Sequence, residues 1–273
     1  MDTHDPSAEG SDEAEPQPAF PPRTPVVGTN ISMTSYADVI DALDQRPRDR
    51  ATVVAVCTVH SVMSARRDPQ LAEAIGSADI ATSDGVPLVW AIRWTARPEQ
   101  QRVYGPELMR RSLADTVERG WRHYFYGSTP ETLAALESAV SLSDPDAIIV
   151  GSDSPPFRTL TPEETDAVAA DILSKGTDVV WVGLGMPKQE LWMHEVRGLL
   201  PGVALVGVGA AFDFIAGTKK EAPPWIQRAG LEWLFRLSQE PRRLWRRYVY
   251  NNPGFVVLLA VQVLRTRLRR RKP

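Results

Sequence analysis

Residues 178–192 have the sequence DVVWVGLGMPKQELW, in which an apolar run of β-forming residues leads directly into two glycines and a proline. A short apolar run bounded by glycine is typical of a strand buried on both faces of a sheet. Pro187 favours the first turn of a helix, because its missing N–H would have no partner there in any case. The stretch therefore predicts a buried strand, a tight turn and the start of a helix.

The same alternation of apolar runs and helical patterns extends from about residue 25 to residue 217. Apolar runs predict strands at 52–57, 79–82, 123–127, 147–151, 178–184 and 203–208. Apolar residues with helical spacing predict helices at 36–45, 61–76, 85–95, 106–119, 130–141, 162–174 and 187–199. Thr129 and Thr161 are predicted N-caps, because each precedes a proline at the first helical position. Apolar strands separated by helices indicate an α/β fold, with a parallel sheet flanked by helices on both faces.

Composition divides the chain into three segments. Residues 1–24 are acidic and rich in proline, and we expect such a segment to be disordered. Residues 25–222 form the predicted α/β core. Residues 223–273 change to a helical pattern rich in tryptophan and arginine, with helix breaks predicted before Pro241 and Pro253.

Charge is distributed unevenly along the chain. The formal net charge is −3, but residues 228–273 hold twelve Arg and Lys against two Glu, which gives that segment +10 and the remainder −13. A segregated basic segment indicates a polyanionic partner such as anionic lipid, pyrophosphate or nucleic acid, and a solvated charged tail is the alternative. Its last part, FVVLLAVQVLRTRLRRRKP, has an apolar front and a basic end. That pattern favours a helix lying in a membrane interface over one that spans the membrane.

Several kinds of site and segment are excluded by what the sequence lacks. The single cysteine, Cys57, cannot form an internal disulfide, and the four histidines show no metal-ligand spacing. Residues 1–24 contain no apolar signal-peptide core, and no window reaches the ~18 apolar residues of a transmembrane helix. The glycine spacing matches neither the dinucleotide-binding GxGxxG motif nor the Walker loop. We therefore expect a protein of a reducing compartment with no metal site.

Polar residues follow most of the predicted strands, at the rim where a parallel sheet binds its ligands. Thr58 and His60 follow the first strand, and Asp84 and Gly85 follow the second. The segment YGST follows the third strand and the glycine–proline turn follows the fifth. Asp213 follows the sixth in GAAFDF, where a carboxylate can bind a ribose or a base edge. Together these loops predict one ligand cleft at the carboxyl ends of the strands.

Each candidate in that cleft has a structural alternative. Asp84 can take a proton from a substrate hydroxyl or cap the helix that follows it, and its position favours both equally. His60 titrates near neutrality in its ordinary state, but a lone histidine in a polar loop is more often structural. Gly185, Lys188 and Gln189 lie where a helix N-terminus can bind a diphosphate, or they form a tight turn without a ligand.

Four blocks read together resemble the WecG/TagA/CpsF family of glycosyltransferases: SDGVPLVWAIR (83–93), RVYGPELM (102–109), VGLGMPKQELWM (182–193) and GVGAAFDFIAGTKKEAPPWIQRAGLEWLFRLSQEPRRLWRRY (207–248). The resemblance covers about residues 27–250. It implies a Rossmann-like parallel sheet flanked by helices, and an inverting transferase that moves a sugar of the N-acetylmannosamine or glucose type from a UDP-sugar to a polyprenyl-diphosphate-linked acceptor. It also implies a metal-independent enzyme without a cofactor, peripheral on the cytoplasmic face of the cell membrane, that makes teichoic acid, other cell-wall polymers or exopolysaccharide.

The resemblance also implies roles for individual residues. Asp84 matches the proposed catalytic base, and Thr58 matches the threonine of the first strand-end loop, the second catalytic residue. The implied substrate-binding residues are Arg93, Gln189, Asp213 and the tail arginines Arg236, Arg242, Arg243, Arg246 and Arg247, joined from the same loops by His60, Gly185 and Lys188. The implied partners are the UDP-sugar, the lipid-linked acceptor, an anionic membrane surface and, through core helices, a second copy of the chain.

The chain departs from the family pattern in the loops where a sugar would be recognised. His60 stands in place of Asn, Ser83 in place of Ala, and Ala210–Ala211 in place of Gly-Ser. The alternative function is a nucleotide- or nucleic-acid-binding regulator whose basic tail contacts phosphates. The run FVVLLAVQVL and the tryptophans of the tail favour lipid over nucleic acid. An oxidoreductase acting on nucleotide sugars is disfavoured by the missing glycine motif.

Overall fold

The computed structural model describes residues 20–270 and contains a six-stranded parallel sheet preceded by a two-stranded antiparallel hairpin. The hairpin consists of β1 (Arg23–Val26) and β2 (Thr29–Ser32). The sheet strands are β3 (Thr52–Cys57), β4 (Ile80–Ser83), β5 (Arg122–Gly127), β6 (Ile148–Asp153), β7 (Val179–Gly183) and β8 (Ala204–Gly207). Their order is β4-β3-β8-β7-β5-β6. The predicted fold class is confirmed.

Helices cover both faces of the sheet. The helices are α1 (Tyr36–Asp44), α2 (Val59–Ala65), α3 (Pro69–Ser77), α4 (Val86–Thr95), α5 (Gly105–Asp115), α6 (Pro130–Ser143), α7 (Pro162–Ser174), α8 (Lys188–Val196), α9 (Ala211–Ile215), α10 (Pro224–Arg228), α11 (Glu232–Gln239) and α12 (Pro241–Arg270). Helices α2, α3, α4, α7, α8 and α12 bury apolar residues against one face, and α1, α5, α6 and α9 against the other.

Each strand of the sheet contributes to two apolar layers, because successive side chains point to opposite faces. In β3, Val53 and Ala55 join one layer, while Val54 and Val56 join the other. This arrangement explains why the strand is apolar throughout. Thr129 and Thr161 cap α6 and α7 as predicted, each accepting a hydrogen bond from a backbone N–H of the first turn.

The N-terminal hairpin was not predicted from the sequence. Its turn is formed by Val27 and Gly28, with φ of 51° and 91°. A turn with both central residues at positive φ usually carries Asn-Gly, and a β-branched residue is strained there. The carbonyl of Val27 accepts from Arg66 Nη1 at 3.1 Å, and its N–H donates to Gln262 Oε1 at 2.7 Å. Tertiary contacts therefore hold a turn that local sequence disfavours.

Several element boundaries differ from the prediction, three of them in ways that matter for the fold. The predicted helix 61–76 is two helices, because Asp68 caps α3 through the N–H groups of Gln70 and Leu71, and Pro69 begins it. The predicted helix 106–119 ends at Asp115. The sequence predicts disorder for residues 1–24. Residues 1–19 lie outside the described residues, whereas β1 begins at Arg23, within the segment expected to be disordered.

The C-terminal segment is helical as predicted, and the predicted break before Pro241 is present, because α11 ends at Gln239; the predicted break before Pro253 is wrong. Helix α12 begins at Pro241 and continues through Pro253 to Arg270. Its buried residues Leu244, Phe255 and Leu259 hold it against neighbouring elements, and the last two belong to the apolar layer shared with α2 and α4. Packing on both sides of Pro253 thus maintains a helix that the proline would otherwise interrupt.

Candidate active site

A cavity of about 280 Å³ lies at the carboxyl ends of β3 and β4 and is closed by α11 and α12. The core contributes Thr58, His60 and Asp84, and the C-terminal helices contribute Arg236 and Arg247. The lining also includes Val59, Gly85, Val86, Pro87, Arg102, Glu232, Trp233, Tyr248 and Asn251. Loops after two adjacent parallel strands meet because their carboxyl ends share one edge of the sheet. The structure therefore brings five of the predicted site residues together.

Asp84 does not cap the helix that follows it. The N-cap of α4 is Gly85, and no side chain caps that helix. Asp84 Oδ1 instead accepts a hydrogen bond from Arg102 Nη2 at 2.8 Å, and its main-chain carbonyl accepts from Arg102 Nε at 2.5 Å. Oδ2 has no hydrogen-bond partner within residues 20–270. The structural alternative for Asp84 is excluded, and one carboxylate oxygen is left for a ligand.

Arg102 binds a second carboxylate, which comes from the C-terminal helices. Its Nη2 donates to Glu232 Oε2 of α11 at 2.6 Å, and its guanidinium lies over the Tyr104 ring at 4.2 Å. Burial and the nearby charge of Asp84 raise the pKa of Glu232, against the lowering effect of Arg102. Two carboxylates that share one guanidinium leave an excess negative charge. This cluster joins α11 to the core at the candidate base.

Thr58 has a structural role as well as a place in the cavity. It is the N-cap of α2, where its Oγ1 accepts from Ser61 N at 3.4 Å and its own N–H donates to Ser61 Oγ at 3.0 Å. This reciprocal pair is a capping box. The cap fixes the hydroxyl of Thr58 at the end of β3, beside the loop that carries Asp84.

His60 is held in an uncharged state. Its Nδ1 lies 2.9 Å from Asn251 Nδ2 and 3.1 Å from Ser64 Oγ. Burial, together with the positive charges of Arg247 and Arg67, lowers the pKa of His60 to about 3. A histidine with that pKa and an occupied Nδ1 is poorly suited to act as a general base near neutral pH. The side chain remains part of the cavity wall.

Two of the five predicted tail arginines line the cavity. Burial lowers the pKa of Arg247 to about 10, and its Nε has no partner within the described residues. Arg236 lies beside it in the lining, with its guanidinium 5.7 Å from the Phe214 ring centroid. A buried guanidinium with an unpaired N–H is a strong binding group for an anion.

The other three tail arginines are exposed and do not line this cavity. Arg243 forms an ion pair with Glu240, and the Arg246 guanidinium lies 5.4 Å from the Trp245 ring centroid. Arg242 is exposed on the first turn of α12. The helical period turns Arg242 and Arg246 away from the face of α12 that carries Arg247. Arg243 lies on that face one turn earlier, where it pairs with Glu240.

The glycine–proline turn after β7 does not form part of the cavity. Gln189 is buried, its Oε1 accepts from Gly209 N at 3.0 Å and its Nε2 donates to Glu190 Oε1 at 2.9 Å. It therefore ties the turn after β7 to the turn after β8. Gly185 adopts a φ of 74° in this turn, a conformation that favours glycine. Lys188 lines a separate cleft of about 520 Å³ with Ser128 and Arg158.

Arg93 and Asp213 also lie outside the cavity. Arg93 Nε donates to the Gln100 carbonyl at 2.9 Å, and Arg93 lines another cleft, of about 710 Å³, with Trp90 and Arg228. Asp213 forms an ion pair with Lys219 at 2.9 Å. The prediction of one cleft shared by all the loops is thus wrong for this structure. For the turn after β7 the physical reason is the strand order, since β8 lies between β7 and β3. Arg93 and Asp213 follow β4 and β8, which both neighbour β3, but they are engaged by Gln100 and Lys219.

Sequence reasoning missed Arg102, Glu232 and Asn251 as residues of the cavity. Arg102 is the first residue of the segment RVYGPELM (102–109), but no local sequence pattern connects it with Asp84, eighteen positions earlier. The sequence did mark Glu232 as unusual, because it is one of only two acidic residues in the basic segment 228–273. Asn251 is 3% exposed in α12, and the sequence contains no sign of its contact with His60.

Within residues 20–270, no three side chains of His, Cys, Asp or Glu are grouped as ligands of a metal ion. Across the same residues, no helix combines the length and the apolar character required to cross a membrane.

The comparison with protein families gives a match that spans nearly the whole chain. Residues 24–272 match the model described as the glycosyl transferase WecG/TagA/CpsF family. The match includes the loop that carries Asp84, the segment that begins at Arg102 and the three C-terminal helices. The family implies a sugar-nucleotide donor and a lipid-linked acceptor in general terms. The chain belongs to the WecG/TagA/CpsF family and is a glycosyltransferase.

Proposed function

We propose that the protein is an inverting glycosyltransferase that moves a sugar of the N-acetylmannosamine or glucose type from a UDP-sugar to a polyprenyl-diphosphate-linked acceptor. The product would enter a cell-wall polymer such as teichoic acid, or an exopolysaccharide. The observation that carries the proposal is the Asp84 carboxylate in the cavity, with Oδ1 held by Arg102 and Oδ2 unpaired within the described residues. A positioned carboxylate with a free oxygen is suited to general-base catalysis.

In the proposed reaction, Asp84 Oδ2 accepts the proton of the acceptor hydroxyl. The acceptor oxygen forms a bond to the anomeric carbon from the face opposite the nucleotide, so the configuration at that carbon inverts. The bond between the anomeric carbon and the diphosphate oxygen breaks, and UDP leaves with the electron pair. Arg102 keeps the carboxylate in place through two contacts, one to the side chain and one to the main chain.

Groups of this chain would stabilise the charge that develops on the leaving diphosphate. Arg247 and Arg236 supply positive charge from the C-terminal helices. Helix α4 begins at Val86 in the cavity wall, after its N-cap Gly85, and the positive end of its dipole adds to this field. We propose that these groups suffice without a metal ion. The donor diphosphate then lies between the core loops and α12, with its sugar directed towards Asp84.

We further propose that the protein acts as a peripheral enzyme on the inner face of the cell membrane, where a lipid-linked acceptor is available. The C-terminal helices expose large apolar side chains at Trp225, Val249, Val257, Leu264 and Leu268. The segment that contains these helices has a strong net positive charge, with twelve Arg and Lys against two Glu in residues 228–273. Exposed apolar residues beside arginines favour attachment to an anionic bilayer surface.

The test is the substitution Asp84→Asn, assayed as UDP release with a panel of UDP-sugars and a polyprenyl-diphosphate-linked acceptor analogue. Asparagine keeps an oxygen that can accept from Arg102 but cannot take the acceptor proton. We expect turnover to fall by about 10²–10⁴ while UDP binding changes little.

Asp146→Asn is the matched control, because Asp146 is an exposed carboxylate in the turn before β6. It should leave turnover unchanged. Wild-type turnover in the Asp84→Asn enzyme would remove Asp84 from the role of base. Absence of UDP release by the wild-type protein with every UDP-sugar would contradict the proposed donor class.

A further inference from the structure

A hydrogen-bonded chain connects His60 to the C-terminal helix. Arg67, in the turn between α2 and α3, donates through Nη2 to Asn251 Oδ1 of α12. Asn251 Nδ2 lies 2.9 Å from His60 Nδ1. Asn251 is 3% exposed, and the buried residue Phe255 holds the next turn of α12 in the core. The amide is therefore fixed between two partners of different chemistry.

The identity of Arg67 determines the orientation of this amide. A guanidinium carries only donors, so the atom of Asn251 that faces it must be the oxygen. The amide nitrogen then faces His60, and it can only donate. His60 Nδ1 must accept that hydrogen bond, which requires a lone pair on Nδ1. The hydroxyl of Ser64, 3.1 Å from the same nitrogen, can donate or accept and so does not alter this assignment.

A neutral imidazole with a lone pair on Nδ1 carries its proton on Nε2. His60 lines the cavity, and Nε2 has no hydrogen-bond partner anywhere in residues 20–270. We propose that Arg67 and Asn251 lock His60 as the Nε2–H tautomer, so that it donates a hydrogen bond to a substrate oxygen in the cavity. The identity of the substrate in this inference rests on the proposed function, whereas the assignment of the tautomer does not.

The charges around His60 favour the same state. Arg67 approaches through Asn251, Arg247 reaches the cavity from α12, and both oppose a positive charge on the ring. With burial they lower the pKa of His60 to about 3, so the ring stays neutral across the physiological range. Asp84 and Glu232 are carboxylates that share the cavity, and both are engaged by Arg102. His60 is thus a neutral donor beside a carboxylate that accepts.

The hydrogen bond would serve one of two kinds of oxygen. A diphosphate oxygen and a sugar hydroxyl both accept from an imidazole N–H, and both belong to the substrates of the proposed reaction. Arg67 and Asn251 are positioning residues in this inference, since they act on the substrate only through His60. The C-terminal helix would therefore determine the hydrogen-bonding state of a core residue.

The first experiment is ¹⁵N NMR of the histidine side chains in the full-length protein. The chain has four histidines, so a His60→Gln variant identifies the His60 signals by their disappearance. We expect Nε2 in the protonated range, Nδ1 in the unprotonated range, and no titration between about pH 5 and 8. Protonation at Nδ1, or a midpoint within that interval, would overturn the proposal.

Asn251→Asp tests the chain of contacts directly. A carboxylate at this position can still accept from Arg67 but must also accept from His60, so the ring proton should move to Nδ1 and the pKa of His60 should rise. A merely structural Asn251 would leave the tautomer unchanged, and that result would contradict the proposal. Asn30→Asp is the control, because Asn30 is exposed on the N-terminal hairpin and the change is chemically identical.

Two substitutions of His60 test the donor itself and do not depend on the folding of the Asn251 variant. Gln places an amide N–H near the position of Nε2 and should retain most activity, whereas Leu removes the donor. If the acceptor is a diphosphate oxygen, His60→Leu should weaken UDP binding by about tenfold. If it is a sugar hydroxyl, UDP binding should persist and the KM of one substrate should rise by a similar factor.

Equal binding and kinetics in the Leu and wild-type proteins would overturn the donor role. These results are separable from the proposed function. A wild-type protein with the expected tautomer that transfers no sugar would refute the proposed reaction and leave the Arg67–Asn251–His60 assignment intact.

Discussion

Glu190 is a buried carboxyl group that follows Gln189 on α8 and is 3% exposed. Its Oε1 accepts from Gln189 Nε2 at 2.9 Å, while Oε2 has no partner in the described part of the chain. Burial raises the pKa of Glu190 to about 7, although the hydrogen bonds to the carboxyl oppose this rise. The group is therefore costly to ionise, and the stability of the fold should depend on its protonation.

We expect the protein to lose stability as the pH rises from about 4 to about 7. The folded pKa is about 7, while an unfolded glutamate titrates near 4.3, so the folded state keeps a proton that the unfolded chain has released. The loss attributable to Glu190 should be on the order of 3 kcal/mol and should level off above the folded pKa. Glu190→Gln should remove this dependence, as measured by urea unfolding at acidic and alkaline pH.

Glu195→Gln provides the control for this measurement, because Glu195 is exposed on the same helix. The free energy of unfolding of this variant should depend on pH as that of the wild-type protein does. A Glu190→Gln protein that retains the full wild-type dependence on pH would show that Glu190 is charged in the folded state at no cost.

At the scale of elements, α12 is the helix that departs most from expectation. It runs for 30 residues with Pro253 in its interior. A proline there removes one backbone hydrogen bond and crowds the carbonyl four residues earlier, at a cost of about 3 kcal/mol in an unsupported helix. Phe255 and Leu259 pack into the core, and Gln262 binds the Pro25 carbonyl at 2.6 Å. These contacts offset the intrinsic cost.

Pro253→Ala should therefore stabilise the protein, by about 1–3 kcal/mol, because alanine restores the backbone donor and has a high helix propensity. Thermal unfolding would measure the change. Pro241→Ala is the comparison, since Pro241 occupies the first helical position, where the ring is well tolerated, and should have a much smaller effect. A lower melting temperature for Pro253→Ala would contradict this prediction and show that the proline ring stabilises the folded state.

At the scale of the whole molecule, the C-terminal helices pack against the α/β core and do not form an independent appendage. Glu232 binds Arg102 beside the candidate base, Asn251 binds His60, and Phe255 is 1% exposed within the core. Deleting residues 223–273 would leave Arg102 without one of its carboxylates and would expose the apolar layer under α12. We therefore expect the deletion to abolish transfer and also to destabilise the remaining core.

We predict that the surface of the C-terminal helices attaches the protein to a bilayer. The protein should sediment with vesicles that contain anionic lipid, and salt should weaken this binding because the basic segment supplies part of the attraction. Leu264→Asp should reduce the bound fraction by about tenfold, since it places a charge among exposed apolar residues of α12.

Leu142→Asp is the matched control, because Leu142 is 86% exposed on α6 and distant in sequence from the basic segment. It should bind vesicles as the wild-type protein does. Equal loss in both variants would contradict a membrane surface on α12. A salt-dependent DNA shift without vesicle binding would favour the nucleic-acid alternative.

Much of the fold could be predicted because its signals are local. The six sheet strands are apolar on both faces, and prolines after Thr129 and Thr161 mark where helices begin. The hairpin and the continuous α12 could not be predicted, because Val27 and Pro253 disfavour locally the conformations that distant contacts impose. The candidate site divides in the same way. Asp84 and Thr58 follow strands, whereas Arg102, Glu232 and Asn251 reach the cavity only through folding.

The amino-acid sequence by itself determined the α/β class, the family resemblance, and the placement of Thr58, His60 and Asp84 at strand ends. These follow from periodicity and from short motifs, which act over a few residues. Only the tertiary structure decided which loops share a cavity and which arginines enter it. Strand order placed β3 beside β4 and away from β7, and the packing of α12 turned Arg247 inward and left Arg242 in solvent. Such choices depend on contacts between residues far apart in the chain, and no local pattern records them.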